Sequence, residues 1–552
     1  MGLRLRLTGI ALLVGLLAAC SSSASKSAPA ASSSTATPTP TTAATARCVP
    51  PNAGGPVTAT RVSGVASDWT LSSFDGTLIR MHWFRALGAS ATQPAPTVLM
   101  GPGWGQAGDT NTSGVGLFGS LGIGELQKAG HNVLTWDPRG FGQSTGTVET
   151  DSADFEGRDV EKMLDWVATQ PGVLLDGPRD PRVGMAGGSY GGGIQLIAAA
   201  IDCRVDAITP TIAWHSLTTS LYKAQTPKNG WSGLLTAVTK GRSVDPHIPH
   251  AYEAATTTEI LGADDRAWFA GRGPGDLVGR INVPTLIVQG TVDNLFTLDE
   301  GITNYRILRK RGVPTAMVWF CGGHGVCLTN TDDGTRVGNA VMAWLQRYVK
   351  RDTSVNTGPR FDMVDQNGTR YTADDYPLSA GTPVTATATG TGTLRYVADG
   401  GSGPARPAAG NKDPLAGVAA GITPARATNA VNLAVNFSTP AVVVGAPQLK
   451  LAYTGTRPPG VRPTRVFAQL LDDATGLVLG NQITPIEVTL DGKRHQTSVP
   501  LEDIAFTARA GAHVTLQLVA TTTAYAVPRL GGSITFDSID VSLPVAAGLK
   551  AK

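Results

Sequence analysis

Charge and cysteine are both scarce in this chain. Charged residues make up 16% of the 552 positions, against about a quarter in an average soluble domain. The formal net charge is +3, and no basic stripe or acidic tail gathers it, which argues against a nucleic-acid partner. Five cysteines are too few for a disulfide-dense scaffold or a cysteine-rich metal array. After the N-terminal segment no apolar run is long enough to span a bilayer. Only eight histidines compete for any role as a base. Hydrophobic content of 41% nonetheless supports sizeable cores, and the length suits two or three domains.

The N-terminus reads as an export signal. Arg4 and Arg6 precede an apolar run from Leu7 to Leu17, which ends in Leu-Ala-Ala-Cys at Cys20. That pattern makes residues 1–20 a lipoprotein signal peptide, with Cys20 lipidated and the chain held at the bacterial cell membrane outside the cytoplasm. Residues 21–55 form a flexible linker. Up to Arg47 it is almost entirely Ser, Ala, Thr and Pro, a composition that cannot bury a core. Loss of Arg4 and Arg6 brings the mature charge from +3 to about +1. With Cys20 assigned to the lipid, Cys48, Cys203, Cys321 and Cys327 remain, an even number in an oxidising compartment, where disulfides are expected.

From residue 56 to 351 strand-like and helix-like segments alternate. Strands are expected at 96–101, 131–137, 182–187, from Val205, at 283–290 and at 314–320, with helices between them, one over 152–170 capped by Ser152 or Asp154, and with a hairpin turn at Asp75-Gly76 before them. This predicts an α/β fold with a mostly parallel sheet covered by helices on both faces. Residues 215–282 interrupt the alternation with helix-like, Trp-containing text and are expected to form a cap over the sheet's C-terminal edge. From 352 to 548 the text becomes Thr/Val-rich alternating runs broken by Gly, Pro and Asp, the pattern of an all-β, jelly-roll-like sandwich.

Three segments carry chemistry. Gly187-x-Ser189-x-Gly191 stands between a predicted strand and a predicted helix, where a sharp turn needs small neighbours two residues either side of an exposed serine. In isolation it is also compatible with a glycine-rich turn and an ordinary serine. Asp293 follows the strand at 283–290, and His324 follows the strand at 314–320. The order Ser, Asp, His is that of α/β-hydrolases, and the long first gap holds the predicted cap. Asp299 is a rival acid, but its place at a helix start suits capping. The Tyr190 N–H is the expected first oxyanion donor, and the Trp104 N–H, in Gly-Pro-Gly-Trp-Gly after an earlier strand, the second. Asp137 and Arg139 read as a structural turn and ion pair.

His324 lies midway between Cys321 and Cys327. That run could be a metal knuckle, but a fourth ligand is not close in sequence. A disulfide between Cys321 and Cys327 that clamps the base is the preferred reading, with no metal; Cys48 with Cys203 follows only by elimination.

The segments DPRGFGQSTG, GGSYGGG, GTVDNLF and GGHG, in that order and followed by a β-sandwich, resemble the X-prolyl dipeptidyl-peptidase and cocaine-esterase group of serine hydrolases. The resemblance spans roughly residues 60–545. It implies an α/β-hydrolase domain with Ser189 as nucleophile, His324 as base then acid, Asp293 orienting it, and no cofactor. The oxyanion loop departs from the group: Pro102-Gly103 replaces a common His-Gly pair, and no tyrosine stands there. The leading expectation is a dipeptidyl-peptidase of X-prolyl type. The alternatives are a carboxylesterase or amidase of cocaine-esterase type and, from another class, a non-catalytic surface lipoprotein. An exopeptidase would need a carboxylate for the substrate's ammonium, for which Glu253, Glu259, Asp264, Asp265 and Asp276 are candidates. Trp214, Trp231 and Trp268 are candidates for pocket wall or cap core. Oligomeric state leaves no trace in the sequence.

Overall fold

The computed structural model describes residues 56–114, 121–329, 334–406, 416–460, 464–527 and 530–552. The signal segment, Cys20, the linker and Cys48 lie outside these residues. Ten strands and three helices build the first part: β1 (Ala59–Arg61), β2 (Asp68–Ser72), β3 (Leu78–Phe84), β4 (Thr97–Met100), α1 (Ile123–Lys128), β5 (Asn132–Trp136), α2 (Glu156–Val167), β6 (Leu175–Gly177), β7 (Asp180–Pro181), β8 (Val183–Gly188), α3 (Tyr190–Ile201), β9 (Val205–Thr211) and, beyond an insertion, β10 (Thr285–Gly290). They are followed by α8 (Leu298–Lys310), β11 (Thr315–Phe320), α9 (Gly334–Tyr348), β12 (Phe361–Val364) and β13 (Arg370–Ala373). The insertion holds α4 (Leu217–Leu221), α5 (Asn229–Val238), α6 (His247–Thr257) and α7 (Ala263–Ala270).

One sheet runs β1-β2-β3-β5-β4-β8-β9-β10-β11-β12-β13 and ends on the strand Lys550–Ala551. From β5 to β12 every pairing is parallel. Helices cover both faces of such strands, so they bury every residue: β4, β5, β10 and β11 show no exposed position. Helix α3, apolar on all sides, is buried along almost its whole length. The Asp75-Gly76 turn joins β2 to β3 as expected, with Gly76 at φ +85°.

The large sheet does not stop where the sequence texture changes at 352. β12 pairs with β11, and β13 pairs with both β12 and Lys550–Ala551. β12 (Phe-Asp-Met-Val) and β13 (Arg-Tyr-Thr-Ala) lie past the change of texture yet extend the sheet's edge, so the change of texture does not mark where the sheet ends. The sandwich itself has two four-stranded sheets. Val384–Arg395, Ser533–Leu543, Gln448–Thr456 and Asp491–Pro500 form one; Ala430–Asn436, His513–Val519, Arg465–Asp472 and Thr484–Glu487 form the other. Strict alternation of buried and exposed residues in Ala430–Asn436 builds a core separate from that of the hydrolase sheet.

Two local expectations change. Asp137 and Arg139 do not pair with each other. Asp137 accepts from the Gly108 and Gln143 N–H groups, at 2.8 and 2.7 Å, while Arg139 grips Asp159 with two 2.7 Å bonds and reaches Asp75. Helix α2 starts at Glu156, not near Ser152, because the Glu156 carboxylate accepts from the Ser152 and Glu149 N–H groups. No described helix is long and apolar enough to cross a membrane.

Candidate active site

Ser189 sits between β8 and α3 with φ +58°, ψ −117°, a strained conformation for any residue with a Cβ. The elbow is tight because the loop after β4 passes directly over it. A Cβ on Gly191 would lie 2.0 Å from the Gly101 carbonyl oxygen, and one on Gly187 2.5 Å from the same atom. Both glycines of the motif are therefore required by one close backbone approach. That approach brings the Gly101–Trp104 segment beside the serine.

Asp293 and His324 come from the loops after β10 and β11. The His324 Nδ1 lies 2.8 Å from Asp293 Oδ2, and its Nε2 2.8 Å from Ser189 Oγ. An ionised carboxylate only accepts, so Nδ1 carries the proton and Nε2 is left to take the serine's. Asp293 is fully buried, and its Oδ1 accepts from the Leu295 and Phe296 N–H groups at 3.0 and 2.9 Å. Edge-on contacts with Phe296 and Trp231 hold the imidazole plane. Gly325 lets the base loop lie on the acid loop, since a Cβ there would sit 1.8 Å from the Val292 carbonyl oxygen.

Cys321 and Cys327 are joined in a disulfide with Cα atoms 5.5 Å apart, inside the usual range. No thiolate is left there for a metal, and among the described residues no cluster of His, Cys, Asp and Glu could hold one. Cys203 is disulfide-bonded too; Cys48, its expected partner, lies outside the described residues.

Tyr190 is the first residue of α3, so its N–H has no intrahelical acceptor and points from the positive end of the helix. Its side chain runs the other way, the hydroxyl donating to Glu156 Oε1 at 3.2 Å. Burial, then the Asp159 charge, pushes the Glu156 carboxyl up to about 7. Trp104 packs edge-on against Tyr190 and Phe141, and its indole N–H donates to the Leu235 carbonyl of α5. Trp104 and Ser189 border the same cleft.

The cleft opens from Ser189 into the cap, between α4, α5, α6 and α7. Leu217, Leu221, Leu235, Ile248, Phe269 and Phe296 are among its walls, and Arg266 is the single charged residue among the described residues that line it. None of the five candidate carboxylates does. Glu259 is turned to Arg465 of the sandwich, and Asp265 takes both His247 and His250. The three tryptophans divide: Trp214 lines the cleft, Trp231 touches the base, and Trp268 stacks on His247 inside the cap. His82, His131 and His215 stand away from the triad; His82 bridges Asp68 and Asp137, and His215 bonds Asn304.

Sequence reasoning missed the sandwich's hold on the site. Gln482 Nε2 donates to the Asp293 carbonyl at 2.7 Å, and Asn481 Nδ2 to the Val326 carbonyl at 2.8 Å. A short helical turn in a β domain thus secures both the acid loop and the base loop. Its residues form no motif, so only the tertiary fold reveals them.

Residues 75–326 match the family described as X-Pro dipeptidyl-peptidase (S15 family). Three solved structures share the fold across both parts of the chain. A CocE/NonD family hydrolase from Staphylococcus aureus has a TM-score of 0.63 at 12% identity, over 87% of this chain and 93% of that one. An alpha-amino acid ester hydrolase has 0.62 at 13%, over 92% and 100%. An aminopeptidase from a marine sediment Thaumarchaeota archaeon has 0.61 at 13%, over 89% and 97%. No curated protein matches the sequence. A strained serine elbow, an aligned acid–base pair and a following β-sandwich, together with the family match, lead to one conclusion: this chain is a serine hydrolase, similar over residues 75–326 to the X-Pro dipeptidyl-peptidase (S15) family.

Proposed function

We propose that the protein hydrolyses esters or amides with an uncharged, apolar acyl group, through an acyl-enzyme on Ser189. His324 Nε2 takes the Ser189 proton as Oγ attacks the acyl carbon, and then delivers it to the leaving oxygen or nitrogen. Asp293 keeps the imidazole in the required tautomer and balances the imidazolium charge. The N–H groups of Tyr190 and Trp104 receive the oxyanion. Water, deprotonated by the same imidazole, releases the acid and restores Ser189.

The observation that carries the substrate reading is the cleft lining, which is apolar and, among the described residues, includes no carboxylate. An aminopeptidase must replace the hydration of a free ammonium with a negative partner, and an apolar wall offers none. The X-prolyl reading remains the second, favoured by the family matched over residues 75–326 and by a cleft able to hold a prolyl ring. One enzyme preparation, assayed on aryl esters of increasing chain length and on aminoacyl-proline anilides with free and blocked N-termini, separates the two. We expect kcat/KM on the esters to rise about 3- to 4-fold per methylene until the cleft is filled, and free N-terminal anilides to be poor. Anilides preferred over esters, with the preference lost on blocking, would establish the exopeptidase instead.

Export and tethering through Cys20 belong to the same proposal. They are supported by the disulfides, which suit an oxidising compartment. Cys20→Ala, followed by fractionation of cells, is expected to move the protein from membranes to the soluble extracytoplasmic fraction.

A further inference from the structure

Lys228 is an ammonium in a place where ammonium groups are rare. It is 2% exposed, and desolvating a cation costs several kcal/mol unless its hydrogen bonds are replaced. It stands at the N-terminal end of cap helix α5, and its Nζ donates to two main-chain carbonyls, Asn294 at 3.0 Å and Leu295 at 3.1 Å. The Tyr525 ring of the sandwich lies 5.5 Å away. Burial draws its pKa down to about 8, against the favourable fields of Glu502, Asp293 and Glu300 and with the opposing one of Lys223.

The identity of those two carbonyls is what matters. A peptide group is planar, with its C=O and the next residue's N–H pointing to opposite sides. The Asn294 carbonyl shares a plane with the Leu295 N–H, and the Leu295 carbonyl shares one with the Phe296 N–H. These are the two N–H groups that donate to Asp293 Oδ1. The same two peptide planes therefore carry a cation on the oxygen side and the buried carboxylate on the hydrogen side. Hydrogen bonds in such chains polarise one another. One turn further along α5, the Trp231 indole N–H donates to Asn294 Oδ1 at 2.9 Å while its ring meets His324.

We propose that Lys228 is a positioning residue for the acid–base pair: through the 294–295 and 295–296 peptide groups it fixes Asp293, so that Oδ2 presents to His324. The cap then supplies part of the catalytic alignment as well as the substrate cleft. The inference rests on the reading of Ser189, Asp293 and His324 as the triad, but not on which acyl group is cleaved.

The test uses the full mature chain and an aryl ester substrate. Lys228→Met keeps the length of the side chain and removes the donors. We expect kcat to fall about 10- to 100-fold, the range of a misplaced catalytic group, with KM little changed. The far-downfield proton resonance of the His324 Nδ1–H to Asp293 bond should shift or broaden away. Arg465→Met, which breaks the cap–sandwich pair with Glu259 and the bond to the Gln225 carbonyl, controls for general loosening and should leave that resonance and kcat near wild type. Should Lys228→Met not fold, Lys228→Gln, which keeps an N–H donor and removes the charge, carries the same measurement. An unchanged kcat and resonance in a folded Lys228 variant overturns the proposal, as does an equal loss in Arg465→Met. Ser189→Ala, run in parallel, separates the two failures: if it retains activity, the triad reading fails first.

Discussion

A single methyl group at Gly191 would have to occupy space 2.0 Å from the Gly101 carbonyl oxygen. Neither backbone segment can retreat, because one is a buried strand end and the other opens α3. Gly191→Ala is therefore expected to cut kcat/KM on an aryl ester about 100-fold or more, with loss of labelling by a serine-directed fluorophosphonate. At Gly279, which faces open space and is not in the left-handed region, the corresponding change should leave kcat/KM untouched. His131 gives a residue-level prediction about pH. It is fully buried, and neither ring nitrogen has a hydrogen-bond partner among the described residues. Burial, then the nearby Lys350 charge, depresses its pKa to about 4. A histidine depressed in the fold leaves stability undiminished above its unfolded value of about 6.5. As pH falls from there towards 4, the unfolded chain takes up the proton first, and about 3 kcal/mol is lost. Denaturant titrations at pH 7 and pH 4.5 should show this loss, and His131→Leu should shrink it.

Among the elements, those that carry the triad were the easiest to read in the sequence. Each triad residue follows a short, mostly apolar strand that closes on glycine or a turn, and a parallel strand buried on both faces leaves little other pattern. The spacing of Gly187, Ser189 and Gly191 has a steric cause that the sequence already implies. The loop from Cys321 to Cys327 was legible for a different reason: two cysteines six apart, with glycines between them, form a small ring. In the chain-entropy picture, closing so short a loop stabilises by about 2 kcal/mol. The double variant Cys321→Ser, Cys327→Ser should lose about that much in denaturant midpoint free energy. It should also lose kcat several-fold more than KM changes, because Gly322, Gly323 and Gly325 leave the base loop free to wander. What sequence could not separate was sheet edge from sandwich. β12 and β13 lie past the change of texture at 352, yet β12 bonds to β11 and β13 to β12, so both extend the large sheet.

Across the whole molecule, the contacts that matter most to the site join distant parts of the chain, and no local pattern announces them. Gln482 and Asn481 reach the acid and base loops from the sandwich, Lys228 and Trp231 reach them from the cap, and Glu502 of the sandwich pairs with Lys223 of the cap at 2.8 Å. Gln482 is one glutamine among many until the fold sets its amide on the Asp293 carbonyl. Gln482→Leu leaves that buried carbonyl without its donor, which costs about 1–3 kcal/mol. It should lower kcat with little effect on KM, measured against wild type on the same ester.

The Gln482 bond also bears on when the enzyme becomes active. Its two partners lie 189 residues apart, and Ser189, Asp293 and His324 all precede the glutamine. A chain threading outward from its N-terminus exposes all three catalytic side chains long before the sandwich exists to secure their loops. Hydrolytic competence should therefore lag behind synthesis of the hydrolase segment and arrive with the folding of the sandwich. A chain halted between residues 330 and 480 would carry a complete set of catalytic side chains and still be silent, which keeps an unfinished copy from attacking esters or peptides before its fold is complete.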